Sequence, residues 1–169
     1  PRVTERLTEM FDKLFELTRM LPADVEEYTD NPSQFYERYH FPLKERAIRY
    51  SAVYIISYLL NSSQAAKILQ KLGQKLQESA ADPLTREACY YIIVKGHSGI
   101  VRIDKDFAMC SALINNFVVV DMACASGILK SQSMNALRFL LKNSAPSDAI
   151  LHAVGGLMWA NLEWPELPC

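Results

Sequence analysis

The chain has 169 residues, 50% hydrophobic and 22% charged, with 18 Lys and Arg against 19 Asp and Glu for a net charge of -1. That length suits one domain or a few repeats, and a near-neutral balance without a basic run excludes a dedicated nucleic-acid surface, which needs clustered cations. No apolar run reaches membrane-span length and no signal-peptide pattern is present; Cys89, Cys110, Cys124 and Cys169 are scattered without paired spacing, as in a reduced intracellular protein.

The first helix is expected from Thr4, with Leu7, Phe11, Leu14 and Leu21 on one face and Met10 and Leu17 widening the stripe, until Pro22 closes it. Its charges are mixed in sign, so the face points to a core rather than to a membrane. Next, Asn31 has the chemistry of a helix cap and Pro32 suits the first helical position. Gln34 stands where a capping-box side chain reaches back, and Phe35 and Tyr36 anchor the short helix. Pro42 is expected to start another.

Leu43 to Leu60 reads as a long helix with Ile48, Ala52, Ile55, Ile56, Leu59 and Leu60 inward. Tyr50, Tyr54 and Tyr58 repeat every fourth residue along one edge. Too few cations accompany them for base stacking, so a groove edge beside neighbouring helices is expected. Asn61-Ser62-Ser63 is a turn, with Ser62 or Ser63 capping a helix that turns Ala65, Ile68, Leu69, Leu72 and Leu76 inward. Lys67, Gln70, Lys71, Gln74, Lys75 and Gln77 form its solvated face, and the two helices make an antiparallel hairpin.

Asp82-Pro83 repeats the cap-then-proline punctuation, and Arg86, Ala88, Tyr91 and Ile92 follow. Gly96-His97-Ser98-Gly99 is expected to end that helix, because glycine supplies the left-handed C-cap. It is no nucleophile elbow: Ile100 occupies the required glycine position and no strand precedes it. Ile103 to Asn116 reads as helical, with Phe107, Met109, Cys110, Leu113 and Ile114 inward. Phe117-Val118-Val119-Val120 has strand chemistry but no partner strand, so it is taken as a helix end and a turn. Met122 to Leu129 is small and apolar, suiting close approach of helices. Ser131 or Ser133 is expected to cap a helix carrying Met134, Leu137, Leu140 and Leu141. Pro146 opens a last helix through Ile150, Leu151, Val154, Leu157, Met158 and Leu162, in which Gly155-Gly156 marks close packing or a kink.

His40, His97 and His152 share no ligand spacing with Cys, Asp or Glu, and no phosphate loop, dinucleotide fingerprint, zinc-protease motif or calcium loop is present. Glu26, Glu27, Asp104 and Asp106 are expected to face solvent. No catalytic, cofactor-binding or metal-binding residue is assigned, no cofactor is expected, and the chain is not expected to be an enzyme.

The expected fold is all-α: stacked antiparallel hairpins at roughly 1–41, 43–79, 82–117 and 120–143, with a final helix at 146–163, in a right-handed solenoid. The early intervals match HEAT-type repeats of about 40 residues, and each hairpin buries one face by stacking on the next. Because the chain opens at Pro1 and stops at Cys169, we expect a segment of a longer solenoid.

Particular wording adds to this. Tyr28-x-x-Asn31-Pro32-x-x-Phe35, then Arg49-x-Ser51-Ala52, then Ala81-Asp82-Pro83-x-x-Arg86-Glu87-Ala88 resemble, in order and spacing, segments of the karyopherin-β superfamily of importins and exportins. Ala123-Cys124 stands where an Arg-Ala-Arg-Ala-Cys-Trp run commonly opens a repeat, without the arginine pair or the tryptophan. The acidic loop common after the Pro-x-x-Phe signature is also absent, with Glu37 and Arg38 in its place. The resemblance implies a nucleocytoplasmic transport receptor that moves between cytoplasm and nucleus. Its repeat surfaces would bind cargo, a Ran-type GTPase or nucleoporins, and neither nucleic acid nor membrane. A HEAT or armadillo scaffold unrelated to transport is the other reading. The Phe35 segment itself is expected to be a structural latch with its ring buried.

Overall fold

The computed structural model describes residues 2–39, 47–79, 82–141 and 148–160. It is all-helical, with no strand among the described residues. The elements are α1 (Arg2–Glu9), α2 (Phe11–Glu16), α3 (Pro22–Asp30), α4 (Pro32–Tyr39), α5 (Ala47–Leu60), α6 (Ala65–Glu78) and α7 (Pro83–Ile103). They continue with α8 (Ala108–Leu113), a π-helical segment Ile114–Val118, α9 (Val119–Met122), α10 (Gly127–Leu141) and α11 (Asp148–Ala160).

The organising element is α7. From Ala88 to Val94 it carries no charge, and from Thr85 to Val94 every residue is buried. A helix apolar all round must be surrounded, and α7 packs against α5 on one side and α10 on the other, with α6 as a third neighbour. Its start follows local rules: the Asp82 carboxylate accepts from the N–H groups of Leu84 and Thr85 at 3.1 and 3.2 Å, and Pro83 takes the first turn.

Its end does not follow them, since α7 runs through Gly96 and Gly99 to Ile103. Both glycines lie against the C-terminal turn of α5. A Cβ at Gly96 would stand 2.3 Å from Leu60 Cδ1, and one at Gly99 would stand 2.1 Å from the Leu60 carbonyl oxygen. They serve close approach rather than a C-cap. The break comes instead at Asp104, whose carboxylate accepts from the N–H groups of Met109 and Cys110 at 2.9 and 2.6 Å. Phe107 turns the chain there with φ of 59°. Asp104 is therefore buried, not solvent-facing.

Around this centre α6 matches its sequence pattern, with Ala65, Ile68, Leu69, Leu72 and Leu76 buried. Its outer row is not wholly solvated. Lys71 and Lys75 reach the Asp12 carboxylate at 3.3 Å each and lie over the Phe11 and Phe15 rings, tying α6 to α2. The turn before α6 uses Ser62 to accept the Gln64 N–H at 3.1 Å, and neither Ser62 nor Ser63 caps the helix. In α5, Val53 joins Ala52, Ile56, Leu59 and Leu60 in the core, Ile55 is half-buried and Ile48 is exposed.

At the N-terminus Phe11, Leu14 and Phe15 form the buried face, while Met10, Leu17 and Leu21 are exposed. Backbone bonds from Met10 N–H to Arg6 and from Leu14 N–H to Met10 carry the helical path across the α1–α2 break. Pro22 opens α3 instead of closing α1, and the Leu21 N–H donates to Asp24 Oδ2 at 3.1 Å. Asn31 Oδ1 accepts the Gln34 N–H at 3.0 Å as expected of a cap. The reciprocal Gln34 contact has no donor to find, because the Asn31 N–H already bonds to the Glu27 carbonyl.

Phe117 to Val120 is helical throughout, and the chain turns only at Ala123. Ser131 and Ser133 lie inside α10, whose start at Gly127 is preceded by Ser126 accepting the Leu129 N–H at 3.4 Å. In α11 Val154 is buried, and no described residue lies within 4 Å of a Cβ added at Gly155 or Gly156. Tyr36, Pro42, Leu43, Pro146, Ile150, Leu157, Met158 and Leu162 lie outside the described residues or side chains.

Candidate functional site

Two buried ion pairs tie α7 to its neighbours, one to α5 and one to α9. Arg49 of α5 donates through Nη2 to Glu87 of α7 at 2.6 and 3.0 Å, and through Nε to the Thr18 carbonyl at 2.6 Å. The guanidinium also lies 4.7 Å from the centre of the Tyr91 ring. One residue earlier on α7, Arg86 donates to Asp121 Oδ2 of α9 from Nε at 2.8 Å and lies 2.7 Å from it at Nη2. Its Nη1 reaches the Leu76 carbonyl of α6 at 2.9 Å. The Tyr90 hydroxyl also donates to Asp121. All four charged groups are buried, so each pair must satisfy itself within the protein. The sequence marks Arg49, Arg86 and Glu87 as motif positions but hides Asp121, whose partner is 35 residues away.

Burial, with Asp121 alongside, pushes the Tyr90 hydroxyl far above its usual range. Burial likewise raises the Cys89 thiol, and with Asp104 beside it raises Cys110 to about 12, so neither supplies a thiolate near neutral pH. His97 holds its Nδ1 2.9 Å from the Val94 carbonyl and packs on Phe139 with ring centres 4.8 Å apart. His152 is exposed, and His40 and Cys169 lie outside the described residues. Among the described residues no group of three or more His, Cys, Asp or Glu could hold a metal ion. None contributes a helix long and apolar enough to cross a membrane.

Asp82 and Asp104, with Asp12 between Lys71 and Lys75, make stability depend on acid. Burial opposes ionisation of Asp82, but hydrogen bonds from the Thr85 hydroxyl and N–H, the Arg19 charge and the Leu84 N–H outweigh it. Burial likewise opposes ionisation of Asp104, and the N–H groups of Met109 and Cys110 prevail. Both therefore titrate below the ordinary value of 3.8. A depressed folded-state pKa adds stability that is complete above the unfolded pKa and disappears as pH falls through the folded one. The urea midpoint should stay level down to about pH 5 and then fall, and Asp104→Asn should make that fall shallower. An unchanged acid profile in the variant would show that Asp104 contributes nothing to it.

The tyrosine row is an open face. Tyr54 and Tyr58 are 62% and 63% exposed, and the Tyr50 and Tyr54 rings pack with centres 5.6 Å apart. With Ser51 and Ile55 they line a groove of about 530 Å³ that contains no charged side chain among the described residues. The expected groove exists, but the outer rings are left uncovered. A second groove of about 410 Å³ lies between the α5–α6 turn and the end of α7, lined by Asn61, Ser62, Ser63, Ala65, Ala66, Arg102 and Ile103.

The motif around Asn31 forms a further unit. Tyr28 and Phe35 meet edge to face with ring centres 5.5 Å apart. With Met20 and Ile128 they form a buried cluster beside Val25 and Leu84. Phe35 is 2% exposed, as a latch requires. Comparison of the chain with protein-family models, curated proteins and solved structures finds no match.

Proposed function

We propose that this chain is a protein-binding section of a helical-repeat transport receptor of the karyopherin-β kind, working between cytoplasm and nucleus. Its helix faces would take cargo, a Ran-type GTPase or nucleoporins, with no cofactor and no catalysis. One observation carries the reading. Both motif arginines, Arg49 and Arg86, make a buried joint to a carboxylate on a later helix, Glu87 and Asp121 respectively. A recurring joint of this sort supports a stack of hairpins in which each unit is tied to the next. The buried Tyr28–Phe35 pair supports a structural use of the signature, leaving exposed helix faces for partners.

Contacts along a solenoid add up from repeat to repeat, so a section of this size should bind weakly by itself. The test is a pull-down comparing this chain with the whole protein, with and without a GTP-loaded Ran-type GTPase. The whole protein should bind the GTPase and release cargo in its presence, and this chain should retain either partner poorly. A whole protein that neither binds the GTPase nor releases cargo defeats the transport reading in favour of a scaffold unrelated to transport.

A further inference from the structure

The outer side of α1–α2 carries an apolar line that no described residue covers. Val3, Met10 and Leu17, seven residues apart, are 71%, 48% and 50% exposed. The backbone bonds through Met10 keep the path helical across them, and a seven-residue interval returns to nearly the same side of a helix. The inward face, made by Phe11, Leu14 and Phe15, adjoins this line on one flank and is already packed. A heptad line of this kind is a seam for a second helix.

Charge says which helix. Arg6 and Lys13 also lie seven residues apart and border the seam directly; both are exposed, and neither pairs with a described carboxylate. Glu9 and Glu16 stand a further step round the helix, so a partner seated on the seam meets the cations first. Asp12, on the far side, is held by Lys71 and Lys75. The geometry points to a docking face for an amphipathic helix of a partner protein, with an apolar ridge and carboxylates at heptad spacing along one flank. The inference uses α1–α2 alone and stands apart from the transport reading.

Two labelled helical peptides of about 18 residues test it by fluorescence anisotropy against the 169-residue chain. One has Leu ridge positions with Glu opposite Arg6 and Lys13, and the other has Lys in place of those Glu residues. The acidic peptide should bind, and the basic one should bind about five- to tenfold more weakly, the scale of two rim ion pairs. Arg6→Glu with Lys13→Glu should reverse the preference. Met10→Gln, an exposed change that leaves circular dichroism unaltered, should weaken the acidic peptide at least about tenfold. Equal binding of both peptides, no binding, or a preference the double variant leaves unchanged would overturn the proposal. So would a dimer in sedimentation that Met10→Gln dissociates, since the face would then belong to a second copy.

Discussion

Replacing Asp121 with Ala should lower stability by about 3–5 kcal/mol, the cost of leaving a buried charge without its partner. The Arg86 guanidinium donates to Asp121 Oδ2, and the Tyr90 hydroxyl donates to the same carboxylate. Without it, Arg86 keeps the Leu76 carbonyl, the Tyr90 hydroxyl beside it and the Phe117 ring, whose centre lies 5.5 Å away. None of these neutralises a cation sealed from water. Removing both members, as Arg86→Met with Asp121→Leu, should recover much of the loss, because apolar groups of similar volume carry no desolvation penalty. Urea unfolding of the two variants beside the parent chain gives the answer. A single-variant loss below about 1 kcal/mol would mean that Arg86 finds another partner or reaches water.

Phe35→Ala should cost about 3 kcal/mol, in the range for emptying a buried aromatic site. The ring touches Tyr28 edge to face and shares its cluster with Met20 and Ile128, so its removal detaches α3–α4 from the N-terminal ends of α7 and α10. That cluster is separate from the main core, which Ile56, Leu72, Ile92 and Ile93 fill without Phe35. The damage should therefore be local. Hydrogen exchange should accelerate across 22–39 while α5 to α7 stay protected. Partner binding by the folded fraction should survive. Equal stability with lost binding would make Phe35 a contact residue and end its role as a latch.

Features legible in the sequence arise from forces that act over a few residues. Asp82 and Asn31 cap their helices because a short oxygen-bearing side chain finds free N–H groups within one turn. The inward set of α6 is legible because one strongly amphipathic helix has only one apolar face. That Phe117 to Val120 forms no strand is accessible too, since three β-branched residues without a second strand cannot satisfy a sheet, although the turn expected there comes only at Ala123.

The sequence by itself thus determines the helical class, the capped starts of α4 and α7, and the burial of Phe35. Tertiary structure decides the features that depend on what arrives from far along the chain. Gly96-His97-Ser98-Gly99 has local chemistry that ends helices, yet α7 continues because Leu60, 36 residues before Gly96, leaves no room for a side chain there. Met10 and Leu17 are as apolar as Leu14, and only the position of α5 selects which side of the first helices is buried. Asp104 and Asp121 look like surface carboxylates until a turn and an arginine enclose them. Local preferences amount to about 1 kcal/mol per residue, whereas a clash with backbone or an unpaired buried charge costs several, so the long-range terms prevail wherever the two conflict.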